Sequence, residues 1–120
     1  MVSGNVQSMT YATAERAAVE GEFRVMSCEL ATDGKIWPCG LLLIKTSATA
    51  KWAPLATLPA TGPYVLGVLD REVNTAEAGS GLVARLGAVM LEKLKVGVSA
   101  KAAPGTDFLF ALETQGIFAM

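Results

Sequence analysis

Residues 62–94, GPYVLGVLDREVNTAEAGSGLVARLGAVMLEKL, carry the strongest structural signal in the sequence. Two apolar runs, 64–73 and 82–91, are rich in Val and Leu, and a loop with two glycines and a serine separates them. Apolar runs of this length that are bounded by turn residues are typical of β-strands. Gly67 and Gly87 lie inside the runs, where a glycine often marks a bulge or a bend. We therefore predict two strands in a sheet that curls around a small core.

Composition limits the classes of function. The chain has 120 residues, of which 52% are hydrophobic, and this is enough for one domain with one core. Ten basic and eleven acidic residues give a net charge of −1, so nucleic acid is not an expected partner. The sequence contains no histidine, which excludes Ser–His and Cys–His nucleophiles and imidazole metal ligands. Prolines interrupt the longest uncharged run, 53–69, so no membrane helix is predicted, and the N-terminus lacks the pattern of a signal peptide.

Residues 1–20 are predicted to form a flexible N-terminal arm, and residues 21–120 a single β-rich domain. The arm begins with small and polar residues that bury little on their own. Within it, the alanine-rich segment Ala14–Glu20 predicts a two-turn helix, with Thr13 as its N-cap and Gly21 as its stop signal.

Two hairpins are predicted before the central strands. Phe23–Leu30 alternates as a strand, and Asp33–Gly34 is typical of a type I′ turn that leads back into Ile36–Trp37. Leu41–Lys45 and Lys51–Ala53 form the second hairpin around a turn of small residues.

The C-terminal part is predicted to contain a final strand, Phe108–Leu112. A turn at Gln115–Gly116 then leads into Ile117–Phe118. Little helix is therefore expected, and the predicted fold class is mainly β.

No motif predicts a catalytic or cofactor site. Gly79–Ala84 matches G-x-G-x-x-A, but an alternating apolar run follows it where a dinucleotide site needs a helix. Asp70 and Glu72 share a strand face, and we interpret them as a solvated edge because no companion base or metal ligands accompany them. No cofactor and no metal are expected.

The cysteines and tryptophans are interpreted as structural residues. Cys28 and Cys39 lack a C-x-x-C arrangement, and without histidine they do not make a usual structural zinc site. Two semi-buried thiols are favoured, and a disulfide between them stays open. Trp37 and Trp52 are assigned to the core or to a subunit contact.

The order of glycines and apolar runs resembles the head decoration proteins of tailed phages, the lambda protein D family. The likeness extends over about residues 40–120, with a compatible arm before it. The residues that carry it are Gly40–Lys45, Lys51–Pro54, Gly62, Val65–Leu69, Val83–Val89 and Gly116–Ile117.

This resemblance implies a small curled β-domain of the β-tulip type without an enzyme site. It implies a homotrimer that binds the major capsid protein at threefold positions on the outside of the expanded head and stabilises the head against internal DNA pressure. The protein would be made in the host cytoplasm and localise to the virion surface.

The resemblance also implies that the arm orders on binding, by adding a strand to the capsid protein. Met9, Tyr11 and Thr13 alternate with Thr10 and so share one face of an extended arm. Met9, Thr10, Tyr11 and Thr13 are therefore the predicted capsid-binding residues.

The alternative function is a small β-barrel carrier, with Lys93 modified, or a ligand-binding module. An enzyme ranks third.

Overall fold

Eight strands and one helix form the regular structure of residues 17–120, the part of the chain that the computed structural model describes. The predicted mainly β fold is confirmed. A 3-10 turn, Leu91–Lys93, follows the longest central strand. The elements are β1 (Ala18–Glu29), β2 (Ile36–Trp37), β3 (Leu42–Lys45), β4 (Ala53–Pro54), β5 (Val65–Leu69), β6 (Val73–Asn74), β7 (Ser80–Val89), α1 (Thr106–Thr114) and β8 (Ile117–Ala119).

Six strands form one curled sheet. Its order is β1-β7-β5-β3-β4, with all of these neighbours antiparallel, and β8 pairs in parallel with the end of β7. The two edges of the sheet meet where the end of β1 approaches the start of β4. There the N–H of Ala31 donates to the carbonyl of Trp52 at 2.7 Å, and the N–H of Trp52 donates to the backbone carbonyl of Glu29 at 3.0 Å. The sheet therefore curls back on itself, and the predicted β3–β4 hairpin is part of it.

Both faces of the central strands are buried. Leu42 packs into one apolar cluster with residues of α1 and β8, whereas Leu43 packs into a second cluster around Trp37 and Trp52. Successive residues of a strand point to opposite faces, so this division follows from the strand geometry. Trp37 and Trp52 are 0% and 2% exposed, which confirms that they are core residues. A Cβ at Gly67 would meet Val83 and the ring of Trp52, so this glycine makes room for the indole.

The prediction of a helix at Ala14–Glu20 is wrong for its described part. Ala18–Glu20 belong to β1, where Ala18 pairs with Val89. Ala17 is buried, and its N–H donates to the carbonyl of Asp70 at 3.0 Å. Residues 18–20 therefore belong to the sheet and not to an arm that ends at residue 20. Helix propensity is a weak preference, and the tertiary pairing with β7 overrides it.

The prediction of a hairpin at Asp33–Gly34 is also wrong. β2 pairs with β6, not with β1. Gly34 has the positive φ of 81° that an Asp–Gly turn favours, but the chain leaves this turn toward β6 and not back along β1. The Oδ1 atom of Asp33 accepts hydrogen bonds from the N–H of Lys35 at 3.0 Å and from Nε1 of Trp37 at 2.9 Å. Oγ1 of Thr75 lies 3.2 Å from the same oxygen and 2.6 Å from the carbonyl oxygen of Lys35. These bonds hold Trp37 against the β6 side of the core.

The predicted strand Phe108–Leu112 is instead the middle of α1. Leu112 is fully buried, and Phe108 and Leu109 pack partly against the same cluster. Leu112 follows Leu109 by three residues and Phe108 by four, which is the spacing of one helix face, but so short an apolar run does not distinguish a helix from a strand. The predicted turn at Gln115–Gly116 and the return into an extended segment at Ile117 are confirmed.

Candidate functional site

Four large apolar side chains are exposed on the segments that follow β7. Leu91, Phe110, Phe118 and Met120, named here the C-terminal patch, are 43%, 67%, 50% and 75% exposed. Three segments supply them, and these segments touch: the N–H of Leu91 donates to the carbonyl of Met120 at 3.1 Å. Leu91 and Phe110 also line one cleft of about 300 Å³ with Leu109. Phe118 and Met120 alternate with Ala119, which lines this cleft, so they lie on the other face of β8. Several large apolar side chains exposed in one region of a soluble protein mark a candidate interface.

The outer edge of β1 is a second candidate surface. β1 has twelve residues and pairs with β7 along one side. Across residues 17–120, no strand pairs with its other side, and contact there is limited to the bridge at Leu30–Trp52. A long strand edge with unpaired N–H and C=O groups is a template for another strand.

A third surface is a cavity of about 460 Å³, named here the Arg85 pocket. Residues 45–48 and 63–65 line it together with Arg85. Arg24 of β1 pairs with Leu86 and Val25 pairs with Ala84, so Arg85 is an extra residue in β7 without a partner on β1. Such a bulge changes the direction of the side chain it carries.

Trp52 holds the guanidinium of Arg85 in place. The Cζ atom lies 5.4 Å from the centroid of the indole ring, which is a favourable cation–π distance. The Nη1 group has a single acceptor, the Sδ atom of Met26 at 3.8 Å, and sulfur is a weak acceptor. The buried Nε has no hydrogen-bond partner.

The two carboxylates that share a strand face in the sequence do not form a pair. Asp70 is 0% exposed, so its interpretation as a solvated edge is wrong, whereas Glu72 is exposed. Oδ2 of Asp70 lies 4.0 Å from Nε of Arg71. Along the described chain, no group of three or more Cys, Asp or Glu side chains is placed to hold a metal ion.

The remaining carboxylate of interest is Asp33. The hydrogen bond from Nε1 of Trp37, followed by that from the backbone N–H of Lys35, lowers the pKa of Asp33 below its ordinary value of 3.8. Both donors stabilise the charged form. The arrangement positions a core tryptophan and a loop, so we assign Asp33 a structural role.

Several candidates from the sequence have clear outcomes. Cys28 is half-buried and Cys39 is buried, as thiols rather than as a disulfide. Lys93 lies half-buried at the end of the 3-10 turn and not at the tip of a hairpin. The predicted capsid-binding residues, Met9, Thr10, Tyr11 and Thr13, lie outside the described residues.

Sequence reasoning missed Arg85 and the C-terminal patch. A signal for Arg85 was present, since it is the single charge within the apolar run 82–91. Phe110 was concealed because its segment was predicted as a strand, and only the helix turns it away from the core.

No helix among residues 17–120 is long and apolar enough to cross a membrane.

Comparison of the chain with protein-family models, with curated proteins and with solved structures finds no match.

Proposed function

We propose that this protein is a capsid decoration subunit of a tailed phage. In this proposal it binds the outside of the expanded head at threefold positions as a homotrimer, contacts the major capsid protein, and stabilises the head against internal DNA pressure. The resemblance over residues 40–120 suggests this function, and the C-terminal patch is the observation in the fold that carries it.

The C-terminal patch supports a subunit contact. Phe110 and Met120 are the most exposed large apolar side chains of the described part, and they lie on segments that meet Leu91. Burial of such side chains stabilises association by about 25 cal/mol per Å² of apolar area before the costs of ordering. A symmetric oligomer buries the same patch on every subunit, so three copies around a threefold axis cover three patches at once.

The position of β1 supports a role for the arm. Residues 1–16 precede an edge strand whose outer side has no strand partner among the described residues. An extended arm that adds to a sheet edge of the capsid protein gains backbone hydrogen bonds, and Met9 and Tyr11 supply side-chain anchors. Three arms on one trimer act together, so avidity exceeds the affinity of a single arm.

The first experiment measures binding to expanded heads. Deletion of Met1–Thr13 is expected to leave the urea midpoint of the domain nearly unchanged and to abolish or strongly weaken binding. Thr10→Pro is expected to weaken binding, because proline removes a backbone donor, and Thr10→Ala is the matched control that keeps the donor. Full binding by the truncated protein would contradict a role for the arm.

The second experiment tests the subunit contact. Phe110→Ser is expected to reduce trimer formation on heads and in concentrated solution, measured by imaging and by sedimentation. Ile36→Ser is the matched control, because Ile36 is 53% exposed but lies on β2, away from the C-terminal patch. Equal assembly by both variants would exclude this patch as the contact.

The third experiment tests stabilisation of the head. A protein that binds only the assembled shell stabilises that state by mass action. Undecorated heads are therefore expected to lose packaged DNA at a lower temperature than decorated heads. Equal DNA retention with and without the protein would refute the cement function even if binding occurred.

The alternative, a carrier with a modified lysine, makes a different prediction. Such a carrier needs an accessible lysine at a tight turn, and Lys93 is half-buried beside the closely packed Gly40. The intact mass of the protein purified from its host distinguishes the two, because a lipoyl or biotinyl group adds a defined mass.

A further inference from the structure

The Arg85 pocket has an unused capacity to donate hydrogen bonds. An arginine carries five N–H donors in a fixed planar arrangement. In the described part of the chain, the guanidinium of Arg85 makes one contact to an acceptor, the sulfur of Met26, and its buried Nε has none. Because Nε is buried, an acceptor from outside reaches the guanidinium through its terminal nitrogens, whose one acceptor among the described residues is the weakly accepting sulfur of Met26.

Both charged residues that line the pocket, Lys45 and Arg85, are cationic. Lys45 lies on its wall, and Thr46 and Ser47 follow it with hydroxyl groups. No Asp or Glu lines the cavity, and the described residues include no ion pair with Arg85 or Lys45. A carboxylate accepts a bidentate pair of hydrogen bonds from a guanidinium, and the lysine adds a second charge.

The rest of the wall is apolar. Pro63, Tyr64 and Val65 also line the pocket, and Val65 lies beside Lys45 because these two residues pair between β3 and β5. The cavity is open to solvent on one side and so does not enclose a small molecule as a cofactor site does. An acidic side chain with an apolar neighbour, presented on a peptide, matches both walls.

We propose that the Arg85 pocket binds the carboxylate of an Asp or Glu side chain from a partner polypeptide. Arg85 supplies the bidentate hydrogen bonds, Trp52 fixes the guanidinium plane, and the wall at Val65 contacts an apolar neighbour of the acid. This proposal is independent of the capsid function, since it is argued from the pocket alone and concerns any partner that presents such an acid.

The test is a titration of the full-length protein, labelled with ¹⁵N, with the peptide acetyl-Leu-Glu-Leu-amide at low salt. The matched peptide is acetyl-Leu-Gln-Leu-amide. The Glu peptide is expected to shift the indole N–H signal of Trp52 and the Nε–H signal of Arg85 in a saturable way at millimolar concentration. Trp37, which is held by Asp33 at another site, is the internal control and is expected not to shift.

Three variants assign the interaction to the pocket. Arg85→Gln is expected to weaken binding about tenfold or more, because it removes charge-assisted hydrogen bonds. Arg85→Lys keeps the charge but loses the planar pair of donors, so it is expected to bind more weakly than the native protein. Arg24→Gln removes an exposed arginine on the adjacent strand and is expected to bind like the native protein.

Defined outcomes would overturn the proposal. Equal shifts with the Glu and Gln peptides would show that no carboxylate is recognised. Saturation by acetate or by inorganic phosphate as tight as by the Glu peptide would show a general anion site rather than a polypeptide site. If Arg85→Gln fails to fold, the titrations of the native protein and of Arg85→Lys still decide between these outcomes.

Discussion

Gly40→Ala is expected to destabilise the protein because Gly40 lies where three segments meet. Its φ is +87°, and a Cβ at this position would overlap the carbonyl group of Lys93 in the 3-10 turn. The N–H of Gly40 donates to the carbonyl of Leu69 at 2.8 Å, and the carbonyl of Gly40 accepts from the N–H of Lys95 at 2.9 Å. An added methyl group must push the turn away and stretch these bonds.

The magnitude follows from two contributions. An L-residue at this φ costs about 1–2 kcal/mol. Loss of the two backbone hydrogen bonds costs about 0.5–1.5 kcal/mol each, so the total is about 2–5 kcal/mol. Gly34→Ala is the matched control, because Gly34 has a φ of +81° but no atom lies within 4 Å of its added Cβ. The control is expected to lose only about 1–2 kcal/mol.

The assay is urea denaturation of both variants and the native protein at 25 °C, with the slope of each transition compared. The difference between the two variants isolates the clash at Lys93 from the backbone strain that both share. Equal free energies of unfolding for Gly40→Ala and Gly34→Ala would refute the inferred contact between Gly40 and the 3-10 turn.

Further predictions concern the carboxylate of Asp33, the two cysteine thiols and the removal of metal ions. The pKa of Asp33 is lowered in the folded state, so its carboxylate stabilises the fold above about pH 3.8. This stabilisation is lost as the pH falls through the folded-state pKa. Asp33→Asn is therefore expected to have a lower urea midpoint than the native protein at pH 7, with a smaller difference at pH 3. Cys28 is expected to react with a thiol reagent in the native protein and Cys39 only on unfolding, since Cys39 is 2% exposed, and equal labelling rates would contradict this. A chelator is expected to leave thermal stability and head binding unchanged, and a clear drop in either would reveal a metal site.

The strand pattern was largely readable from the sequence. The apolar runs at 64–73 and 82–91 contain β5 and most of β7, and both tryptophans, assigned to the core or to a subunit contact, are core residues. The reason is that alternation and turn residues are local signals with period 2, which a sheet preserves. Within the first run, the sequence did not show that the end separates as β6, since its partner, β2, is distant along the chain.

The environments of Arg85 and Asp70 could not be predicted from the sequence. Arg85 matters because of a bulge, a cation–π contact with Trp52 and an incomplete set of acceptors. Each of these depends on residues far away in sequence, and none has a periodicity. Asp70 likewise looked like part of a charged edge, but it is completely buried in the fold.

The sequence by itself determined a single β-rich domain without histidine chemistry, because composition and strand periodicity are properties of the local chain. Tertiary structure alone decided that Ala18–Glu20 are a strand and that Phe108–Leu112 are helical. Intrinsic helix preferences differ by only a few tenths of a kcal/mol per residue, and both segments are short, so the summed preference is small. Pairing with β7 in one case, and burial of Leu112 in the other, contribute more than that.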